Sequence, residues 1–123
     1  MSKTIFIVED DIFLQGLEAT KLKKEGYDIL SAANGVEALK IIDSKIKIDL
    51  VLLDLMLPEI DGFTVLKRIR GDDLLAKVPV IVFSNLSEES DIQKAKTLGI
   101  SEFMVKSNFN LDELAKKVKG LLG

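Results

Sequence analysis

The chain has 123 residues, the size of one domain with one core, and 47% of them are apolar. Seventeen basic residues against twenty acidic leave a net charge of −3 with no long run of one sign, so there is no electrostatic case for a nucleic-acid or membrane-surface binder. There is no Cys and no His, which excludes a disulfide framework, thiolate chemistry, His-based acid–base catalysis, the usual zinc sites and a phosphohistidine carrier.

Short apolar runs alternate with helical patterns along the whole length, which predicts βαβ units and a parallel sheet. Met1-Ser2-Lys3-Thr4 leads straight into the first strand, about Thr4–Val8, with no signal-peptide pattern. No apolar run approaches the ~18 residues of a membrane span, so a cytoplasmic protein without membrane contact is expected. The first helix covers about Ile12–Glu25, with Leu14, Leu17 and Leu22 on one side and Gly26 as its stop. The second strand, Tyr27–Ser31, is short and more polar, as an edge strand should be. Turn residues Asn34-Gly35 precede a helix over about Val36–Asp43. Leu50–Leu53 is the third strand, and a helix over about Gly62–Arg70 follows with Asp61 as its N-cap. Val80–Phe83 is the fourth strand, entered through Pro79, where a first strand residue need not donate to the ladder.

The fourth helix is expected over about Glu88–Leu98, capped by Ser87 and stopped by Gly99. Glu102–Val105 is the fifth strand. The last helix covers about Leu111–Leu122, with Leu114, Val118 and Leu121 on one stripe, and Asn110 with Glu113 makes a capping-box pattern. Five βα units with right-handed crossovers make a three-layer α/β sandwich. Residues 1–123 read as one domain, with no effector domain expected in this chain.

In an open parallel sheet, ligands bind at the carboxyl ends of the strands. Glu9, Asp10 and Asp11 follow the first strand, Asp54 the third, Ser84 the fourth and Lys106 the fifth. These carboxylates, a hydroxyl and an ammonium there suit Mg²⁺ and a phosphoryl group. Glu9-Asp10-Asp11 also fits a plain helix N-terminus, where acids favour the macrodipole. Asp54 is harder to read as structural: it interrupts an otherwise wholly apolar run, Leu50–Leu57, where a charge is costly unless paired or coordinated. Lys106 is flanked by apolar residues, and an ion pair to one of the acids explains it. Lys106-Ser107 mimics the end of a P-loop, but no Gly-rich turn precedes it, and a nucleotide site is rejected. Lys116, Lys117 and Lys119 read as a solvated helix face.

From strand one to the last helix, the pattern resembles the response-regulator receiver domain. The most specific stretch is Asp54-Leu55-Met56-Leu57-Pro58-Glu59-Ile60-Asp61-Gly62, an acceptor Asp followed by Leu-Pro and Asp-Gly. The resemblance implies a doubly wound, flavodoxin-like sheet of order 2-1-3-4-5. It implies that Asp54 accepts a phosphoryl group. Asp10 is then the main Mg²⁺ ligand, with Glu9 acting directly or through water, Asp54 sharing the ion, and the backbone carbonyl of Met56 as a further ligand; Mn²⁺ substitutes. Ser84 is the switch hydroxyl, Phe103 the switch aromatic and Lys106 the phosphate-pairing ammonium. Met56 and Leu86 occupy the positions that look out over the acceptor and tune the lifetime of its phosphorylated form. Two residues depart from the family: Asn85 stands where a small residue is usual and Ser107 where proline is usual. A trans Lys106–Ser107 bond is expected.

The implied function is a phosphorylation-dependent switch, not a conventional enzyme. It catalyses its own Mg²⁺-dependent aspartyl phosphorylation and a slow autodephosphorylation. A sensor histidine kinase or histidine phosphotransfer protein donates the group. The output is a downstream protein bound at the face of helix four, strand five and helix five, with the chain a monomer or a phosphorylation-dependent dimer. Three alternatives stand beside it: a receiver-like interaction module that is not phosphorylated, a receiver cut from a longer regulator such as a DNA-binding one, and a haloacid-dehalogenase-like phosphatase. The last lacks its Asp-x-Asp element, since the first strand ends in Glu9-Asp10-Asp11-Ile12.

Overall fold

The computed structural model of the protein describes residues 2–123. Its elements run β1 (Thr4–Val8), α1 (Ile12–Lys24), β2 (Asp28–Ala32), α2 (Gly35–Asp43), β3 (Leu50–Leu53), α3 (Gly62–Arg70), β4 (Val80–Ser84), α4 (Glu89–Leu98), β5 (Glu102–Val105) and α5 (Leu111–Leu122), with a 3₁₀ turn over Lys106–Asn108. All strand pairs are parallel and the sheet order is β2-β1-β3-β4-β5. This is the flavodoxin-like, doubly wound arrangement.

Side chains alternate across each strand, so each central strand feeds two cores. Phe6, Val8, Val51, Leu53, Val80 and Val82 meet Ala38, Ile42, Val65, Leu66, Ile69 and Ala95 of α2, α3 and α4. On the opposite face Ile5, Ile7, Leu50, Leu52, Ile81, Phe83 and Met104 meet Leu22 of α1 and Leu114, Ala115 and Val118 of α5. Central strands buried on both faces explain why Ile5–Val8, Leu50–Leu53 and Val80–Phe83 are continuous apolar runs. β2 is at one edge and is the more polar strand, as expected.

The helix caps follow the sequence at most ends. Asp61 accepts from Thr64 N, and Asn110 and Glu113 form the reciprocal capping box. Gly26 and Gly99 take positive φ after α1 and α4, a region side chains disfavour. Four expectations are corrected. α4 begins one residue later than expected, with Glu88 rather than Ser87 at the N-cap and no side-chain cap bond; Glu89 and Asp91 place acids in its first turn instead. On α1, Leu17 is exposed and Glu18 is buried: the inward stripe is Leu14, Glu18, Leu22, spaced by four. On α5 the stripe ends at Leu122, which packs on the core, while Leu121 is exposed. β2 is shifted by one residue from the expected span, to pair Ala32 with Val8. No cis peptide bond occurs among the described residues, so Lys106–Ser107 is trans as expected.

Candidate functional site

The register brings the strand ends together. Val8 pairs with Leu53, and Leu53 with Val82. The next residues, Glu9 and Asp54, therefore leave adjacent strands side by side, their amides still bonded in the sheet: Glu9 N donates to Ala32 O and Asp54 N to Val8 O, both at 3.0 Å. Ser84 pairs with Val105, one residue before Lys106.

Asp54 is buried, and both of its oxygens are satisfied. Oδ1 accepts from Ser84 Oγ at 2.7 Å and from Met56 N at 2.9 Å; Oδ2 accepts from Lys106 Nζ at 2.6 Å. Lys106 reaches Glu9 Oε1 as well, at 2.7 Å, so one ammonium bridges two buried carboxylates. Glu9 Oε2 accepts from Asp11 N at 3.1 Å, and Asp11 itself caps α1 through Leu14 N. Burial pushes the Glu9 carboxyl above its ordinary range, with Lys106 opposing. Burial pulls the Lys106 ammonium down, but its contacts with Asp54 and Glu9 outweigh this and hold it above an ordinary lysine.

Each expected site residue has a definite place. Glu9, Asp10 and Asp54 offer carboxylate oxygens within 4.8 Å of one another. Glu9 is buried and Asp10 exposed, so Asp10 is the member open to solvent. Ser84 and Lys106 already touch Asp54. Met56 is exposed, with its N–H on Asp54 Oδ1, and Leu86 is half-buried against the core with its N–H 3.4 Å from Ser84 Oγ. Phe103 is half-buried on the same core cluster. Asn85 and Ser107 are exposed and line one groove with Phe109 and Leu111.

The loop after Asp54 depends on a glycine. A Cβ on Gly62 would stand 2.6 Å from the carbonyl oxygen of Asp54 and closer still to Leu55 Cα. Only glycine lets the start of α3 press on this backbone, which explains Asp61-Gly62 after Asp54. Gly62 N also donates to Leu55 O at 3.1 Å. One titratable residue near the site, Glu18, was not read from the sequence. Its signal was the spacing of four from Leu14 and to Leu22.

Three carboxylates against one ammonium leave an excess of negative charge that one divalent cation balances. The donors are all oxygen, which suits a hard ion such as Mg²⁺, and the chain has no imidazole or thiolate to select a softer one.

At this edge of a doubly wound sheet the fold sets a buried, lysine-paired aspartate beside a cluster of oxygen donors that suits a cation. The chain belongs to the response regulator receiver domain family, whose model matches residues 5–119. Sporulation initiation phosphotransferase F of Bacillus subtilis is 38% identical over 122 residues, which cover 99% of this chain and 95% of that protein. The chemotaxis protein CheY4 of Vibrio cholerae superimposes with a TM-score of 0.90 at 25% identity, covering 99% of this chain and 100% of that one. The phosphorylated cyanobacterial phytochrome response regulator RcpA gives a TM-score of 0.84 at 33% identity, covering 98% of this chain and 91% of that one. The chain spans about half the length of the first curated relatives it matches. No helix among the described residues is long and apolar enough to cross a membrane.

Proposed function

We propose that this chain is a phosphorylation-dependent signalling switch in which Asp54 accepts a phosphoryl group from a phosphohistidine of a sensor histidine kinase or histidine phosphotransfer protein. The observation that carries the reading is the setting of Asp54: a buried carboxylate at a strand end, held by Ser84, Lys106 and the Met56 amide. An Asp54 oxygen attacks phosphorus, the P–O bond forms as the P–N bond breaks, and the donor imidazole leaves. Such a transfer needs positioning and charge stabilisation more than covalent help. Lys106 and Ser84 stand within hydrogen-bond reach of the reacting carboxylate and donate to the transferred group. Glu9, Asp10 and Asp54, with the Met56 carbonyl, would hold Mg²⁺, or Mn²⁺ in its place, which neutralises the incoming phosphate.

A donor must reach the pocket mouth. Ile12, Phe13 and Leu17 on α1 begin two residues after Asp10 and are exposed, with Phe13 at 77%. A run of apolar surface beside the acceptor suits a protein donor better than a small molecule. The output surface is the α4-β5-α5 face. There Phe103 lines a groove with Ile92, Lys96 and Ile100, and a downstream protein or a second copy binds after phosphorylation. The half-length match to the first curated relatives favours a second reading of the output, a receiver joined to an effector in a longer regulator. A cytoplasmic location follows from a phosphohistidine donor.

The test is intact mass after incubation with Mg²⁺ and acetyl phosphate. The wild type gains one phosphoryl group and Asp54→Ala gains none. Full labelling of the variant overturns the assignment of Asp54, and a wild type that gains no phosphoryl group leaves the unphosphorylated interaction module in its place.

A further inference from the structure

A buried carboxyl that the acceptor chemistry does not use lies on α1. Glu18 is 1% exposed, and its Oε1 has no hydrogen-bond partner among the described residues. It stands between Leu14 and Leu22 on the helix face that covers the apolar cluster of β1, β3 and β4, where an unpaired charge is costly. Burial, with Glu9 adding repulsion, pushes its carboxyl up to about 8. It is not a member of the Glu9–Asp10–Asp54 cluster. One turn before Glu18 on α1, Gln15 Nε2 donates to Glu9 O at 3.0 Å, which holds this part of the helix against the end of β1; the charges that reach Glu18 are Glu9, Lys106, Asp54 and Asp11. On α5, Asp112 is committed to Lys21 and Glu113 to the helix cap, and Lys116, Lys117 and Lys119 are exposed. On β2, Asp28 is exposed at the strand's far end, with Tyr27 just before it.

We infer that Glu18 is a positioning residue for the cation site, whose proton is released to solvent as the Glu9–Asp10–Asp54 cluster takes up a divalent cation. The inference rests on the metal reading above. Two added positive charges within Coulomb reach favour the ionised form of Glu18. By linkage, an ionised Glu18 must favour the cation to the same degree. The cation affinity of this receiver then rises through mildly alkaline pH. With no His and no Cys, no other side chain at its ordinary value titrates between about pH 6.5 and about pH 9, and Glu9, raised by burial, is present in every variant. The terminal amine does titrate there, but every variant shares it.

The test is Mg²⁺ affinity of the whole chain, by calorimetry at about pH 6.5 and about pH 9, for wild type, Glu18→Gln and Glu18→Leu. The wild-type dissociation constant should fall about fivefold more than that of either variant, the low end of ordinary coupling between sites. A carbon-13 titration of the wild-type Glu18 carboxyl should also move to lower pH when Mg²⁺ saturates the protein. Equal pH dependence in all three proteins, or a Glu18 titration that Mg²⁺ does not move, overturns the inference and leaves the metal site standing. Failure of all three proteins to bind Mg²⁺ at either pH overturns the metal site itself, and the inference with it.

Discussion

Replacing Glu18 by Gln keeps the shape of a neutral carboxyl and removes its titration. In the folded protein burial holds this proton up to about pH 8; in the unfolded chain it leaves near the ordinary value of 4.5. The sign follows from which state keeps the proton. Below about pH 4.5 both states hold it, and the contribution of Glu18 to stability is fully present. As pH rises toward 8 the unfolded state releases the proton and the folded state does not, so the wild type loses stability. Above that point the loss is complete. Each pH unit in the window costs ~1.4 kcal/mol, which gives a penalty of ~3 kcal/mol at pH 7 and ~5 kcal/mol in full. That is a large fraction of the ~5–15 kcal/mol that holds a domain together. Urea unfolding from pH 4 to pH 9 measures it. The two proteins should be equally stable near pH 4, with Glu18→Gln progressively the more stable above it. All other carboxyls titrate in both proteins and cancel in the difference. Two stability curves that stay parallel from pH 4.5 to pH 8 would refute the reasoning.

Other outcomes follow from the pocket. Without metal, Asp10 sits in like-charge repulsion with Glu9 and Asp54, so Asp10→Asn should raise the melting temperature in chelator and shrink the Mg²⁺-induced rise. For the wild type that rise corresponds to ~2.7 kcal/mol at a hundredfold excess over Kd. An unchanged Mg²⁺ response in the variant contradicts the ligand set. Gly62→Ala drives a Cβ into the Asp54 carbonyl and should cost ~1–3 kcal/mol by denaturant unfolding, as overpacking does, and slow labelling by acetyl phosphate. Met56→Asn/Leu86→Glu should lose phosphate about tenfold faster than wild type once donor is removed, if water positioning contributes ~1.4 kcal/mol to the barrier. Equal decay rates mean that these two positions do not control lifetime.

The buried, paired aspartate was legible because Asp54 breaks a run in which every other side chain is apolar, and a charge in such a run demands a partner. The sheet was legible for the same reason: strands covered on both faces carry no polar residue to confuse the period. Helix ends with a committed side chain, Asp61 and Asn110, were legible as well. The start of α4 was not, because Ser87, Glu88 and Glu89 can each begin a helix and only the chain's exit from β4 chooses among them. Glu18 was not legible because Leu17 and Glu18 lie only about 100° apart on the helix. An acid on an amphipathic helix reads as solvent-facing unless the neighbouring elements fix the rotation. The partners of Lys106 were half legible. An ion pair to an acid was expected, but the bridge to both Glu9 and Asp54 depends on strand register that no local pattern encodes.

That bridge makes Lys106 a tethered counterion. Its ammonium fills the resting pocket where mobile ions would otherwise gather, and its chain of methylenes keeps it from leaving. Loading of the pocket, on the reading proposed above, is therefore an exchange of partners and not the filling of a void: Lys106 gives up part of its hold on Glu9 and Asp54 as a second cation and a phosphoryl group come in. A buried exchanger of this kind is insulated from bulk monovalent salt, because screening acts on exposed charges and scarcely reaches a pair held under cover. The resting charge balance is thus set by an ion that the chain carries with it, and it does not follow the concentration of monovalent salt in the surrounding solution.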